Sequence, residues 1–456
     1  MAPNASINPT RKYKTMNETT TFISVQARKA IGVAVMSLFG VSLAASAAQS
    51  TAGKGYSYSY LGDPAANVSA RPVSCASGGC TPSIALVGGG YDVGEAFRWM
   101  IVQAGVKPAS GSKPGTNGRF VIIRATGTDA YNPYVYSNLG QVDTTTPRNY
   151  EMVGGKDLGL TSVESLIIPS RAAAQDDFVI KTIRNASAIF IAGGDQADYY
   201  NYWQDTLLTE ALKLAVSNGI PVGGTSAGTA MLGQYAFAAL NGAVTSTQAL
   251  SDPFNKAVTI DPLNTSSRTF AQQGSFINIP SLSKVIAEPH FNTRDRLGRL
   301  FSFVSRIETG CANGVENVGS VTGIGIDEET ALLISGASGN VKAEMVVNPY
   351  NPENTTAQYT GQNSAYFVKS MASPSACAAR KPLVSNSGIR VFRMAAQPSM
   401  PSASQTATQY SFKVQASVNL SNLGSMQGQS FSDGSYVAGP FSYGASSGAV
   451  LGASPY

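Results

Sequence analysis

The sequence predicts an α/β fold: a doubly wound, mostly parallel sheet with helices on both faces and extra C-terminal strands. Three observations predict it. Short, continuously apolar runs such as Ala188-Ile189-Phe190-Ile191-Ala192 recur along the chain, and such runs suit strands buried on both faces. Segments with helical apolar spacing lie between them. Glycine clusters, Gly88-Gly89-Gly90, Gly193-Gly194 and Gly223-Gly224, then stand where strands hand over to helices.

In order, residues 83–87 read as a strand and 93–104 as the helix after it. Residues 119–124 and 165–169 are the next strands, 176–185 a helix and 188–192 a strand. Residues 206–216 place Leu207, Leu208, Ala211, Leu212 and Ala215 on one helix face. Asn218-Gly219 stops that helix, and Ile220-Pro221-Val222 starts another strand. Beyond residue 320 the helical signal is weak. Strand-like runs at 324–326, 330–335, 342–347, 365–369 and 389–394 are expected to complete or extend the main sheet. In the Ser/Gly-rich tail, Tyr410, Phe412, Val414, Ala416, Val418 and Leu420 alternate as in a half-buried strand. The expected organisation is a leader at 1–47, a linker segment at 48–80, a catalytic α/β domain at 81–398 and a C-terminal extension at 399–456.

Composition narrows the function. Charged residues are 13% of the 456, too few to suggest nucleic-acid binding. The net charge is +5, but residues 1–47 hold Arg11, Lys12, Lys14, Arg28 and Lys29 against Glu18, so +4 of it sits there. Arg28-Lys29 precede an uncharged apolar run at 30–44, and Ala45-Ser46-Ala47 offers the small residues of a cleavage site. The pattern is that of a secretory signal peptide, and its apolar run is short for a membrane span. The expected location is outside the cell or in the periplasm, with no membrane contact after leader removal. Four cysteines fit export; of three possible pairings, Cys75–Cys80 with Cys311–Cys377 is the one expected. One histidine and no Cys-x-x-Cys argue against a metal site, and no cofactor is expected.

The sharpest motif is Gly224-Thr225-Ser226-Ala227-Gly228, after a strand and opening a helix. Gly-x-Ser-x-Gly in that context is a nucleophile elbow. The helix start offers free N–H groups to a developing oxyanion, Ala227 first among them. A serine needs a base, and His290 is the one imidazole of the chain. An orienting acid is available in Asp327-Glu328-Glu329 after a strand; adjacent residues there point to different faces, so Asp327 and Glu328 both remain candidates. Gly194 could add a second oxyanion donor and Gln196 a hydrogen bond to substrate amides. Arg294, Arg296 and Arg299 follow the histidine on a helix whose Leu297, Leu300, Phe301 and Val304 form an apolar face. Near a base, such arginines can grip carboxylates.

Together, Gly-Gly-Asp-Gln at 193–196, Gly-Gly-Thr-Ser-Ala-Gly at 223–228, His-Phe-x-x-Arg-x-Arg-x-Gly-Arg-Leu at 290–300 and Gly-Ile-Gly-Ile-Asp-Glu-x-Thr-Ala at 323–331 resemble the cyanophycinase family of serine peptidases, relatives of aspartyl dipeptidases. The resemblance covers roughly residues 81–395. It implies a Ser226–His290–Glu328 triad, a fold similar to class I glutamine amidotransferases, and commonly a homodimer. It implies exopeptidase cleavage of cyanophycin, a poly-aspartate with arginine on each β-carboxyl, to β-Asp-Arg dipeptides. It places Gln196, Glu288, Arg294, Arg296 and Arg299 at the substrate. One departure stands out: many relatives carry Asp and an amide residue before the histidine, where this chain has Glu288 and Pro289. An exported aspartyl dipeptidase is the nearest alternative. An α/β-hydrolase esterase is the further one, disfavoured because its acid precedes its histidine.

Overall fold

The structure is a computed structural model and describes residues 47–49, 55–75, 80–143, 150–261, 276–309, 321–336, 341–347, 363–370, 377–395, 405–406, 409–410, 416–419 and 436–451. The expected leader lies outside them apart from Ala47, as do Cys311 and most of the extension. Cys75 and Cys80 are disulfide-bonded; Cys377 is disulfide-bonded as well.

The elements that position the site are, in chain order, β1 (Ala47–Gln49), β2 (Ser57–Gly62), β3 (Ile84–Val87), α1 (Gly94–Gln103), β4 (Gly118–Arg124), α2 (Tyr131–Tyr136), β5 (Leu160–Ile167), α3 (Asp177–Arg184), β6 (Ala188–Ile191), α4 (Gln196–Trp203), α5 (Leu207–Ser217), β7 (Val222–Thr225) and α6 (Ala227–Ala230). There follow α7 (Ser246–Ser251), β8 (Val285–Glu288), α8 (Leu297–Thr309), β9 (Thr322–Ile326), β10 (Thr330–Ser335), β11 (Lys342–Val347), β12 (Ser364–Ser370), β13 (Ser385–Ala395), β14 (Ala416–Asn419), β15 (Tyr436–Ser446) and β16 (Ala449–Leu451).

Ten strands form one sheet in the order β1-β2-β5-β4-β6-β7-β3-β10-β11-β14. Its middle, β5-β4-β6-β7-β3, is parallel; antiparallel strands extend it on both sides. Strands β3 and β6 are buried at every position, which is why they read as unbroken apolar runs. Successive residues of β3 serve opposite faces. Ile84 and Leu86 join one core with α3 and α5; Ala85 and Val87 join the other with Phe97 and Met100 of α1.

The strands after residue 320 divide. β10 and β11 extend the main sheet as expected. β9, β12 and β13 instead join β8, β15 and β16 in a separate six-stranded sheet, β8-β9-β12-β13-β15-β16. Its β8–β9 pair is parallel. The cause is local packing: a Cβ on Gly325 would lie 2.5 Å from the Phe291 ring, and one on Gly323 would lie 3.0 Å from Leu300. β9 is thus shaped to accept α8 and its preceding loop. One face of this second sheet, through Ile324, Ile326 and Phe367, packs into the core of the first. The other packs Tyr366 and Val368 against Leu300, Phe301 and Val304 of α8, each buried apolar chain contributing about 1.5–3 kcal/mol.

Both expected flanking segments contribute strands. β2 lies in the 48–80 stretch read as a linker, yet pairs along β5. Tyr58 there donates to Glu164, which also takes two bonds from Arg119. In the extension, β14 joins the main sheet and β15 the second.

Candidate active site

The carboxyl ends of β3, β6 and β7 meet the ends of β8 and β9. Between β7 and α6, Ser226 adopts φ 53° and ψ −120°, the strained turn that lifts a serine off the sheet edge. The turn requires small neighbours: a Cβ on Gly228 would stand 2.1 Å from the Ile191 carbonyl oxygen. Thr229, which nothing in the sequence marks, fastens it. Its hydroxyl accepts from the Val87 N–H at 3.0 Å and lies 2.6 Å from the carbonyl oxygens of Val87 and Gly224.

His290 arrives from the second sheet, two residues past β8, with its backbone N–H donating to the Gly88 carbonyl at 2.8 Å. Ser226 Oγ is 2.6 Å from His290 Nε2, and Nδ1 is 2.5 Å from Glu328 Oε1. A carboxylate only accepts, so the ring proton belongs on Nδ1 and Nε2 is left to accept from the serine. The ring is 5% exposed. Burial lowers its pKa, outweighing the hydrogen bond it donates to Glu328, which raises it, so the imidazole is neutral and basic at pH 7. The hydrogen bond from His290 in turn holds the Glu328 carboxyl below its usual range. A hydroxyl, a neutral imidazole and a carboxylate in this order can pass a proton off the serine while keeping the ring in one orientation.

The two adjacent acids part company here. Asp327 is fully buried and turns away from the ring. It accepts from the N–H groups of Asn292 (2.9 Å) and Ser364 (3.1 Å) and from the Tyr366 hydroxyl (3.2 Å). Burial pushes its carboxyl up to about 7. Asp327 therefore holds the turn that follows His290, and Glu328 holds the imidazole itself.

The glycine loop after β3 closes against both. Gly89 has φ 100°, and a Cβ there would sit 2.3 Å from His290 Cε1; one on Gly90 would sit 3.0 Å from Glu328 Cβ. The signal was a glycine triplet at a strand end. Its partner was not readable from sequence. On the other flank a Cβ on Gly193 would be 3.8 Å from Ser226 Oγ, so the Gly193–Gly194 turn borders the serine. Ala227 opens α6, where an N–H has no partner within its own helix. Gln196 is half-buried and its Nε2 donates to the Phe237 carbonyl at 3.4 Å.

The arginines separate into distinct roles. Arg294 is exposed and within electrostatic reach of His290 and Glu328. Arg296 donates through Nη1 to Glu288 (2.9 Å) and to the Pro289 carbonyl (2.7 Å). Arg299 is buried. It meets Glu288 bidentately at 3.0 and 2.5 Å and donates to the Val244 carbonyl at 3.0 Å. The expectation that Glu288 and Arg299 face substrate is therefore corrected. Glu288 is 2% exposed and takes two of the chain's own guanidinium groups. The end of β8 aims it at α8 instead of the open sheet edge. Among the described residues, no group of three His, Cys, Asp or Glu side chains is arranged for a metal ion. A cavity of about 380 Å³ lined by Arg119, Ser187 and Ile220 lies at the amino ends of the parallel strands, away from this site.

An elbow serine stands at the carboxyl edge of a parallel sheet with a histidine and a glutamate behind it, and sequence comparison shows what the chain resembles. Residues 136–251 of this chain match the model of peptidase family S51. The chain's relatives include the cyanophycinase of Synechococcus elongatus, 26% identical over 242 residues, covering 52% of this chain and 64% of that protein. The cyanophycinase of Geminocystis herdmanii is 25% identical over 237 residues, covering 51% and 74%. The chain thus spans less than two thirds of the length of the first. Among solved structures, a peptidase from an acI-B1 Actinobacterium is similar at 18% identity with a TM-score of 0.35, covering 60% of this chain and 93% of that one.

Proposed function

We propose that this chain is a serine-type exopeptidase that hydrolyses the poly-aspartate backbone of cyanophycin to β-Asp-Arg dipeptides. The observation that carries this reading is the unbroken hydrogen-bond path from Ser226 through His290 to Glu328, in a chain whose curated relatives are cyanophycinases. His290 Nε2 takes the serine proton as Oγ attacks the backbone carbonyl. The N–H groups of Ala227 and Gly194 receive the oxyanion. Collapse breaks the C–N bond, and His290 returns the proton to the leaving amine. Water then repeats the sequence on the acyl-enzyme. Glu328 holds the ring throughout. Arg294 meets a substrate carboxylate at the mouth, with Gln196 on the opposite wall. Export through the leader at 1–47 suits a polymer too large to enter cells.

The test is incubation of the purified protein with cyanophycin and, separately, with isolated aspartyl dipeptides, followed by product mass. Release of β-Asp-Arg from the polymer is expected. Turnover of dipeptides alone would replace the polymer reading with a dipeptidase, and inertness toward both would overturn the proposal.

A further inference from the structure

The polymer proposed as substrate presents a guanidinium on every repeat, and a site that reads it needs a carboxylate. Glu288 does not provide one, because Arg296 and Arg299 enclose it. Another acid follows the glycine loop that packs on the proposed base. Gly89 touches the His290 ring and Gly90 touches Glu328. Asp92 follows two residues later, at most about 7 Å of chain away. It is half-buried and its Oδ1 accepts from the Tyr131 hydroxyl at 3.1 Å.

Tyr131 is a rigid partner. Its ring lies 5.9 Å from Phe97 and 5.8 Å from Phe190, and Phe190 belongs to β6, the strand that leads to Gly193 beside Ser226. Arg124, at the end of β4, donates to the Thr126 carbonyl at 2.6 Å and reaches the Gly193 carbonyl at 3.5 Å. It acts electrostatically on both Asp92 and Tyr131. A carboxylate, a half-buried aromatic ring and a cation therefore cluster on the flank of the serine formed by the main sheet, whereas Arg294 comes from the flank formed by the second.

We infer that Asp92 is the carboxylate that receives the guanidinium of the substrate arginine, with Tyr131 fixing its orientation and offering a ring face for stacking. The inference rests on the peptidase reading above. A carboxylate has about four lone-pair sites, so a bidentate guanidinium is compatible with the tyrosine hydroxyl. Guanidinium also stacks well on aromatic faces.

The electrostatics give the subsite a pH signature. Burial pushes the Asp92 carboxyl up to about 7. Arg124 from β4 and Tyr131 from α2 act on it directly; Tyr134 of α2 feels it together with Arg98 and Glu95 of α1 and Glu151, and Glu328 and Glu329 lie against Gly90. Asp92 accepts a cation only when ionised, so affinity for an arginine-bearing substrate rises with pH through about 7. The ionisation of His290 lies lower, below its ordinary value.

The experiment compares wild type, Asp92→Asn and Tyr131→Phe on cyanophycin and on a polymer carrying citrulline, the neutral isostere, in place of arginine. Asp92→Asn is expected to raise KM on cyanophycin by about tenfold or more with kcat little changed, and to have no such effect on the citrulline polymer. It also removes the limb of kcat/KM near pH 7, leaving that of His290. Tyr131→Phe keeps the acid and weakens binding less. Equal loss on both polymers, or unchanged KM, overturns the inference. Calorimetric binding of β-Asp-Arg against β-Asp-citrulline reads the same contact without turnover. An inactive wild type would thus defeat the peptidase reading, while equal binding of the two dipeptides, or unweakened β-Asp-Arg binding by Asp92→Asn, would defeat the role of Asp92.

Discussion

Ser226 and His290 touch, yet they are held in place in different ways. The serine stands in a turn of the ten-stranded sheet that is locked by its immediate neighbours: Gly228 against Ile191, and Thr229 against Val87 and Gly224. The imidazole stands on a loop of the six-stranded sheet and is held from outside. Gly88 of the first sheet accepts its backbone N–H, Gly89 packs on its ring, Asp327 anchors the turn after it and Glu328 holds Nδ1. The contrast teaches that the residues bracing the proposed nucleophile sit beside it in the chain, although they lean on neighbouring strands, whereas those that hold its base come from distant segments.

That contrast can be broken in graded steps. The largest expected effect comes from Ser226→Ala, which should lower kcat by at least about 10⁴-fold. Thermal melting and far-UV circular dichroism should stay unchanged, because the turn is held by other residues. Residual turnover within tenfold of wild type would remove Ser226 from the mechanism. Next, Gly89→Ala alters only what presses on the base. With φ 100° and a contact of 2.3 Å to His290 Cε1, the added methyl must displace the ring, and a shift of about 1 Å costs on the order of 10²-fold in rate. Normal rates in that variant would show that the loop does not seat the imidazole.

A smaller effect is expected from Asp327→Asn. An amide at that position turns an NH₂ toward donors and loosens the His290 turn, giving a kcat loss of roughly tenfold, about 1.4 kcal/mol. The variant also reads pH. With its folded pKa raised to about 7 from 3.8, wild-type Asp327 keeps a proton that the unfolded chain has released between those values. Its contribution to stability is therefore full below about pH 4, falls as pH rises through the window, and levels off above about 7. The gap in melting temperature between wild type and Asp327→Asn should narrow from pH 4 to pH 8. A constant gap would mean that the buried carboxyl does not titrate there.

The same division governs what was legible in the sequence. Strands buried on both faces leave apolar runs, so 330–335 and 342–347 were read at their true bounds. β5 begins five residues before the predicted 165, because its polar residues are buried yet hydrogen-bonded: Ser162, Arg119 and Tyr58 donate to Glu164, and Ser165 donates to Asn132. Hydropathy does not register polarity that has been satisfied. The serine could be found because its determinants lie within a few residues of it, and the histidine because no other imidazole competes. The direction taken by each of Asp327 and Glu328 depended on Asn292, Ser364 and Tyr366, distant in sequence. The closure of Glu288 by Arg299 depended on α8 folding back over β8. Leu207, placed on the buried face by its spacing, is 47% exposed because the apolar stripe of α5 begins one residue later.

The pairing of Tyr436–Ser446 with Ser385–Ala395 has a consequence in time. On the ribosome, the turn around Ser226 can form once α6 has cleared the exit. The sheet beneath His290 gains an outer strand only after residues far later in the chain have been made. A growing polypeptide therefore carries its serine long before the imidazole has a finished platform.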